Sequence, residues 1–185
     1  MKKTWGEIKA EILNLGFERE DIFEKYRERF FDAVNRASVF IACTVCPNIE
    51  TLKIAKEEFE NTFIFNIKER CENFHDFLTP ACTYKDMTPA KCRILPDKRL
   101  YIEDSEDITV WYSRLPERVD ENTADSKEID LEYTAALLLP LLACFYIWQE
   151  DDERKAVIYR NDYELLKKEL FKNNTKAYIE EGEGI

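Results

Sequence analysis

Residues 135–148 constrain this chain more than any other segment. They read Ala-Ala-Leu-Leu-Leu-Pro-Leu-Leu-Ala-Cys-Phe-Tyr-Ile-Trp, without a single charge. A membrane-spanning helix needs about 20 apolar residues, so the run is too short to cross a bilayer comfortably. A surface helix shows one apolar stripe and one polar face. This run has no polar face, so it belongs at the centre of a core or in an interface between subunits. Asp130 can cap a helix over residues 131–149, and Pro140 predicts a kink within it, because its ring clashes with a carbonyl one turn back.

The cover for such a helix has to come from the rest of the 185 residues, of which 45% are hydrophobic overall. That is enough for one core, or one core and a small insertion. Thr4-Trp5-Gly6-Glu7 fits a capping box, in which Thr4 caps the first turn and Glu7 reaches back. Ile8, Ile12, Leu13 and Leu15 follow at helical spacing, and Gly16 stands where a left-handed residue ends a helix. Phe23, Tyr26, Phe30, Val34, Ala37 and Ile41 recur every three or four residues and predict a longer helix over 21–43, closed by Pro47. After the apolar run, Glu150-Asp151-Asp152 makes an acidic turn at the start of a helix over 153–171, where the helix dipole favours carboxylates. Ala156, Val157, Tyr159, Tyr163, Leu166 and Leu170 are its expected inner face.

The middle of the chain changes character. Residues 62–67 read as a strand, and 91–95 and 99–103 as two strands about a Pro96-Asp97 turn. Residues 107–112, β-branched and aromatic, are the clearest strand. The expected fold class is α+β and mainly α: a helical bundle formed by the N- and C-terminal helices, with a small antiparallel β insertion. The expected divisions are 1–50 for the N-terminal helices, 51–127 for the β-rich insertion and a polar linker, 128–172 for the helical hairpin completing the bundle, and 173–185 for a flexible tail.

The net charge of -11 comes without a basic stripe. Phosphate neutralisation drives most nucleic-acid binding, so a protein that grips DNA is not expected. A soluble surface, or one that passes DNA without holding it, is. Met1-Lys2-Lys3-Thr4-Trp5 leads directly into a helix rather than an apolar leader, which points to a protein made in a reducing cytoplasm with its six cysteines as free thiols. Cys43-Thr44-Val45-Cys46 is the one closely spaced cysteine pair. It could be half of a zinc site completed by Cys71, His75, Cys82 or Cys92, yet a second such pair is missing, and cysteine also packs as a small hydrophobe. No cofactor is expected. His75, the single histidine, lies in no nucleophile–base pattern, and there is no glycine-rich phosphate loop, nucleophile elbow or HExxH. These observations assign no catalytic residue and no enzymatic activity.

Leu137-Leu138-Leu139-Pro140-Leu141-Leu142-Ala143, the aromatic stretch to Trp148, Asp151-Asp152 and then Tyr159-Arg160-Asn161-Asp162-Tyr163-Glu164 resemble the closing helices of head–tail connector (adaptor) proteins of tailed bacteriophages. The short Trp-bearing first helix, the segment Phe31-Asp32-Ala33-Val34-Asn35-Arg36-Ala37 and the strand Val110-Trp111-Tyr112-Ser113-Arg114-Leu115-Pro116 look similar too. The cysteine-rich middle departs from the pattern. The resemblance implies a virion protein at the head–tail junction. It would form a ring with copies of itself, commonly twelve, docked under the portal protein and offering a platform to a stopper or tail protein. Genome DNA would pass through without sequence-specific binding, and no membrane is involved. Residues 173–185 would order on docking. Leu137, Leu141, Phe145 and Trp148, with Tyr159 and Tyr163 opposite, are the expected assembly and packing residues. The alternative is a non-enzymatic interaction or regulatory module, zinc-bearing at Cys43 and Cys46.

Overall fold

A computed structural model describes residues 2–17, 20–60, 62–103 and 106–172. In chain order the elements are α1 (Trp5–Gly16), α2 (Glu20–Thr44), β1 (Asn48–Ile54), a 3-10 turn (Lys56–Glu60), β2 (Ile64–Phe65), α3 (Ile67–Arg70) and β3 (Phe74–Thr83). They continue with β4 (Cys92–Ile94), β5 (Leu100–Ile102), β6 (Ile108–Arg114), α4 (Tyr133–Ala136), α5 (Leu139–Trp148) and α6 (Glu153–Leu170). The chain divides into two compact units. One holds the residues up to Cys46 and from Arg118 onward; the other is Pro47–Glu117. The expected tail over 173–185 lies outside the described residues.

The helical unit is built around α5, which packs against α1, α2 and α6. Leu139, Leu142, Ala143 and Cys144 are fully buried there, together with Ile8, Ile12, Phe30, Val34, Ala37 and Ile41. The central burial expected of an all-apolar helix is therefore found. Its shape differs from the expectation. Residues 131–149 form two helices, not one kinked helix: α4 ends at Ala136 and α5 begins at Leu139. Pro140 falls in the first turn of α5, where a missing N–H breaks no helical hydrogen bond, so it starts a helix instead of bending one. Glu132, not Asp130, caps α4, accepting from the Thr134 and Ala135 N–H groups.

The capping box at Thr4 forms as expected. Thr4 Oγ1 accepts from the Glu7 N–H at 3.3 Å, and Glu7 Oε2 accepts from the Thr4 N–H at 2.8 Å. The Thr4 N–H and the Thr4 hydroxyl, both donating to Glu7 Oε2, hold the Glu7 carboxyl below its usual range. Gly16 has a different role from the expected one. It is the last residue of α1, no glycine among the described residues has a positive φ, and an added Cβ would come within 3.2 Å of Cys144 Sγ. Glycine there serves close helix packing. The expected polar linker is also tied down: the Trp5 N–H donates to Lys127 O at 2.7 Å, the Gly6 N–H to Asp125 O at 2.8 Å, and the Ile129 N–H to Lys3 O at 2.8 Å.

The unit Pro47–Glu117 overturns the expected fold class. It is not a small insertion in a mainly helical bundle. It contains two three-stranded antiparallel sheets, ordered β1-β6-β3 and β2-β5-β4, so the chain is mixed α/β. It has its own core of Ile54, Phe59, Phe65, Ile67, Leu100, Ile102, Ile108, Val110 and Tyr112. β6 forms where a strand was expected and is the central strand of its sheet, and β4 and β5 pair about the Pro96-Asp97 turn as expected. The strand expected over 62–67 shrinks to Ile64–Phe65, and Ile67 opens the short helix α3. β1 and β3 were not expected. In β3 the register shifts between Phe77 and Cys82, and Pro80, which cannot donate to a ladder, sits inside that gap.

Candidate functional site

The expected assembly residues fall into three environments within the helical unit. Leu137, Leu141 and Phe145 succeed one another every four residues, and all three are half-buried. They form one row along the α4–α5 segment that its own unit does not fully cover. Trp148 and Tyr163 are core residues, 7% and 0% exposed. Tyr159 is half-buried, and its hydroxyl donates to Leu15 O at 2.5 Å, pinning α6 to the end of α1.

Cations lie over aromatic rings of α2, α5 and α6. The Arg36 guanidinium lies 4.1 Å from the Tyr146 ring centre and the Lys155 ammonium 4.5 Å from that of Trp148. Arg160 faces Tyr163 at 5.3 Å, Phe145 at 5.6 Å and Phe40 at 5.8 Å, and pairs with Glu164 at 2.7 Å. Ring faces are electron-rich, so such contacts let a charged side chain shield an apolar ring while its head stays in water. Arg160 belongs to the Tyr-Arg-Asn segment singled out in the sequence, and its position gives that segment a packing role.

The acidic turn is equally structural. Arg29 of α2 pairs with Glu150 at 3.3 Å and Asp151 at 2.6 Å, and Asp152 caps α6 by accepting from the Lys155 N–H at 3.1 Å. Carboxylates at this helix start satisfy free N–H groups and the dipole together.

Outward-facing apolar residues lie elsewhere than expected. Val157, placed on the inner face by its spacing, is 50% exposed. Its neighbour Ile158 is 58% exposed, and Leu165, two turns further along, is 63% exposed. Ala156 and Tyr163 are buried, and Leu166 and Leu170 half-buried, as the inner face requires. On so short an apolar pattern a phase error of one residue turns a side chain by about 100°, which is how Val157 is misplaced.

Asn35 was missed altogether. It lies in the buried stripe of α2, its Nδ2 donating to Val119 O at 2.8 Å and its Oδ1 accepting from the Val119 N–H at 2.9 Å. This two-bond clamp holds the chain where it re-enters the helical unit. An asparagine between Val34 and Ala37 in an apolar stripe is the signal that could have found it, since a buried amide demands partners.

Cys43 is exposed and Cys46 half-buried at the end of α2. Burial raises the pKa of both thiols, and the Glu132 carboxylate raises that of Cys46 further, so both favour the neutral form. Among the described residues no three His, Cys, Asp or Glu side chains gather as a metal site. Among them, too, no helix is long and apolar enough to cross a membrane. No known family model and no curated protein matches the chain, so these placements carry the functional argument by themselves.

Proposed function

We propose that this chain is a non-enzymatic structural subunit of the head–tail connector ring of a tailed bacteriophage, joining the portal to the stopper or tail and letting DNA pass. The observation that carries the reading is the division of labour in the α5–α6 hairpin. Its most apolar helix is an internal spine, while Val157, Ile158 and Leu165 on α6 point away from the core. The row of Leu137, Leu141 and Phe145 is only half covered. Apolar side chains grouped this way are what a subunit offers to a neighbour. The net charge of -11 suits a channel wall that repels phosphate, and a virion location follows from the same reading.

The test is to mix the chain with the portal protein of the same phage and examine the product by negative-stain microscopy and mass measurement. A closed ring of this chain under the portal is the expected result. A double variant, Ile158→Glu with Leu165→Glu, keeps the helical circular dichroism and loses the ring. Absence of binding across salt and pH, with a portal shown to be competent, overturns the proposal; a ring whose lumen is basic overturns the charge argument.

A further inference from the structure

Ala156, Tyr163 and Leu166 turn one side of α6 to the core of the helical unit. Along the other side Arg154, Ile158, Asn161, Asp162, Leu165 and Glu169 are all exposed. Apart from the adjacent Asn161 and Asp162 they follow one another at steps of three or four, so they form a single stripe down the helix. The stripe is apolar at Ile158 and Leu165, amide and carboxylate between them, and charged at its ends. On its flank Arg160 and Lys167 both pair with Glu164. Arg154 and Glu169 have no ion-pair partner among the described residues.

The stripe matches itself when reversed. The midpoint of Glu153–Leu170 lies between Asn161 and Asp162. Ile158 stands as far before that point as Leu165 stands after it, and Arg154 as far before it as Glu169 after. From this pattern we infer that α6 is a self-recognition surface: the free chain forms a dimer in which two α6 helices pack antiparallel about a two-fold axis through the midpoint. Ile158 then meets the second copy's Leu165, and Arg154 meets the second copy's Glu169, each contact being made twice. At the axis the Asn161 amide meets the second copy's Asp162 carboxylate.

Charge decides the orientation and the register. A parallel pair would set Arg154 against Arg154 and Glu169 against Glu169, and like charges in contact repel. Sliding the antiparallel pair one step along the stripe sets Arg154 against Lys172 and Ile158 against Lys168. A step the other way sets Arg154 against Leu165 and Ile158 against Asn161. Of these arrangements, only the one centred on the midpoint joins apolar to apolar and cation to carboxylate at both ends. The 18 residues of α6 span about 27 Å. A crossing near 20°, common where helices pack nearly antiparallel, keeps both ends within reach of long side chains.

The inference shares with the connector reading only the exposed face of α6, and it needs no portal. Neighbours in a ring meet head to tail, whereas a two-fold contact uses the same patch on both copies and closes at two. The dimer is therefore the form of the free chain, and a ring built through this face replaces it. One helix from each copy buries less than the roughly 1,600 Å² of a standard interface, which suits a contact meant to part.

The experiment is analytical ultracentrifugation of the full chain without portal, over rising concentration at about 0.15 M salt. The Debye length there is about 8 Å, so the net charge of -11 on each chain is screened while side chains in contact are not. The expected result is a monomer–dimer equilibrium that stops at two. Arg154→Glu and Glu169→Arg each turn both end contacts from attraction to repulsion, and each should weaken the dimer roughly tenfold. The two changes together restore opposite charges at both ends, and with them the dimer. An acid in the first turn and a base in the last suit the helix dipole, so helical circular dichroism holds in all three variants. A chain that stays monomeric throughout, growth beyond two copies, or a double variant as weak as the single ones overturns the inference. A portal-bound ring from a chain that never dimerises would sink the dimer and leave the connector reading standing; a dimer that ignores a competent portal would do the opposite.

Discussion

The helical unit and the β unit bury apolar surface in different ways. Around α5 the contacts are almost wholly apolar and join distant parts of the chain: α1 and α2 close over α5 and α6 with about twice as many buried side chains as the β unit encloses. The β unit relies more on side-chain hydrogen bonds across its strands. Tyr112 donates to Glu50 Oε2 at 3.0 Å, Arg114 Nε to Glu50 Oε1 at 2.5 Å, Trp111 Nε1 to Thr83 Oγ1 at 2.9 Å and Ser113 Oγ to Asp76 O at 3.1 Å. All of them start on β6, the central strand. One unit depends on the completeness of a helical sheath, the other on the residues of one strand. The first should fail through a single misplaced charge in α5, the second through damage to β6.

The largest effects test that difference directly. Leu142→Asp puts an unpaired carboxylate into a fully buried site on α5 and should cost about 4 kcal/mol or more. Circular dichroism should lose its helical signal, along with the native fluorescence of Trp5 and Trp148, while Trp111 in the β unit keeps its native environment. Val110→Asp on β6 should do the reverse. If either variant abolishes both signals together, the two cores do not stand apart and the comparison breaks.

Asn35→Ala is the next largest. It strands the N–H and C=O of Val119 in a buried setting and removes two hydrogen bonds, an expected loss of about 2–3 kcal/mol. Urea unfolding followed through the helical signal measures it. A loss under about 0.5 kcal/mol would mean that the return of the chain to the helical unit is held by apolar contacts alone.

The same contrast explains what could be read from sequence. The positions of α1, α2 and α6 follow from apolar residues recurring every three or four positions, a signal that accumulates over many turns. α5 is legible from the absence of any polar face, although its start is not, because Pro140 suits a first turn as well as a kink. β6 is legible because Ile108, Val110 and Tyr112 alternate among β-branched and aromatic neighbours. β3 is not: Asp76 and Pro80 interrupt its pattern, and its bulges change which face each residue meets. β1 is an edge strand with mostly exposed side chains, so burial leaves little mark on its composition. The apparent smallness of the β insertion came from missing these two long strands. Of the candidate site, Tyr163 was legible as an inner-face residue of α6, and Trp148 as part of a run that belongs in a core or an interface without the sequence deciding which.

Helix caps supply a smaller, local term that should be the same in kind at either end of the helical unit. Asp152→Ala removes the side chain that accepts from the Lys155 N–H, and should cost about 1 kcal/mol, with Asp152→Asn recovering most of it. A loss several times larger would show that Asp152 holds more than the first turn of α6.

The smallest expected effect at neutral pH is also the one that most sharpens the description of the sheath as apolar. Tyr163 is fully buried, and its hydroxyl has no hydrogen-bond partner among the described residues. Tyr163→Phe keeps the ring, and with it the Arg160 contact at 5.3 Å and the Lys167 contact at 5.7 Å, while removing a buried polar atom that earns nothing. Stability at pH 7 should stay the same or rise by up to about 1 kcal/mol. The alkaline limb gives a second reading. Burial pushes the Tyr163 pKa from its ordinary value of 10 up to about 12. Between those values the unfolded chain gives up the phenol proton while the folded chain keeps it, so stability present below pH 10 is lost as pH rises towards 12. Phenylalanine cannot titrate, and the variant should lose less stability across this window than the parent chain. A variant that is less stable at pH 7 and falls as steeply above pH 10 would mean that the hydroxyl is bonded in the folded protein, and that the sheath around α5 has a polar member.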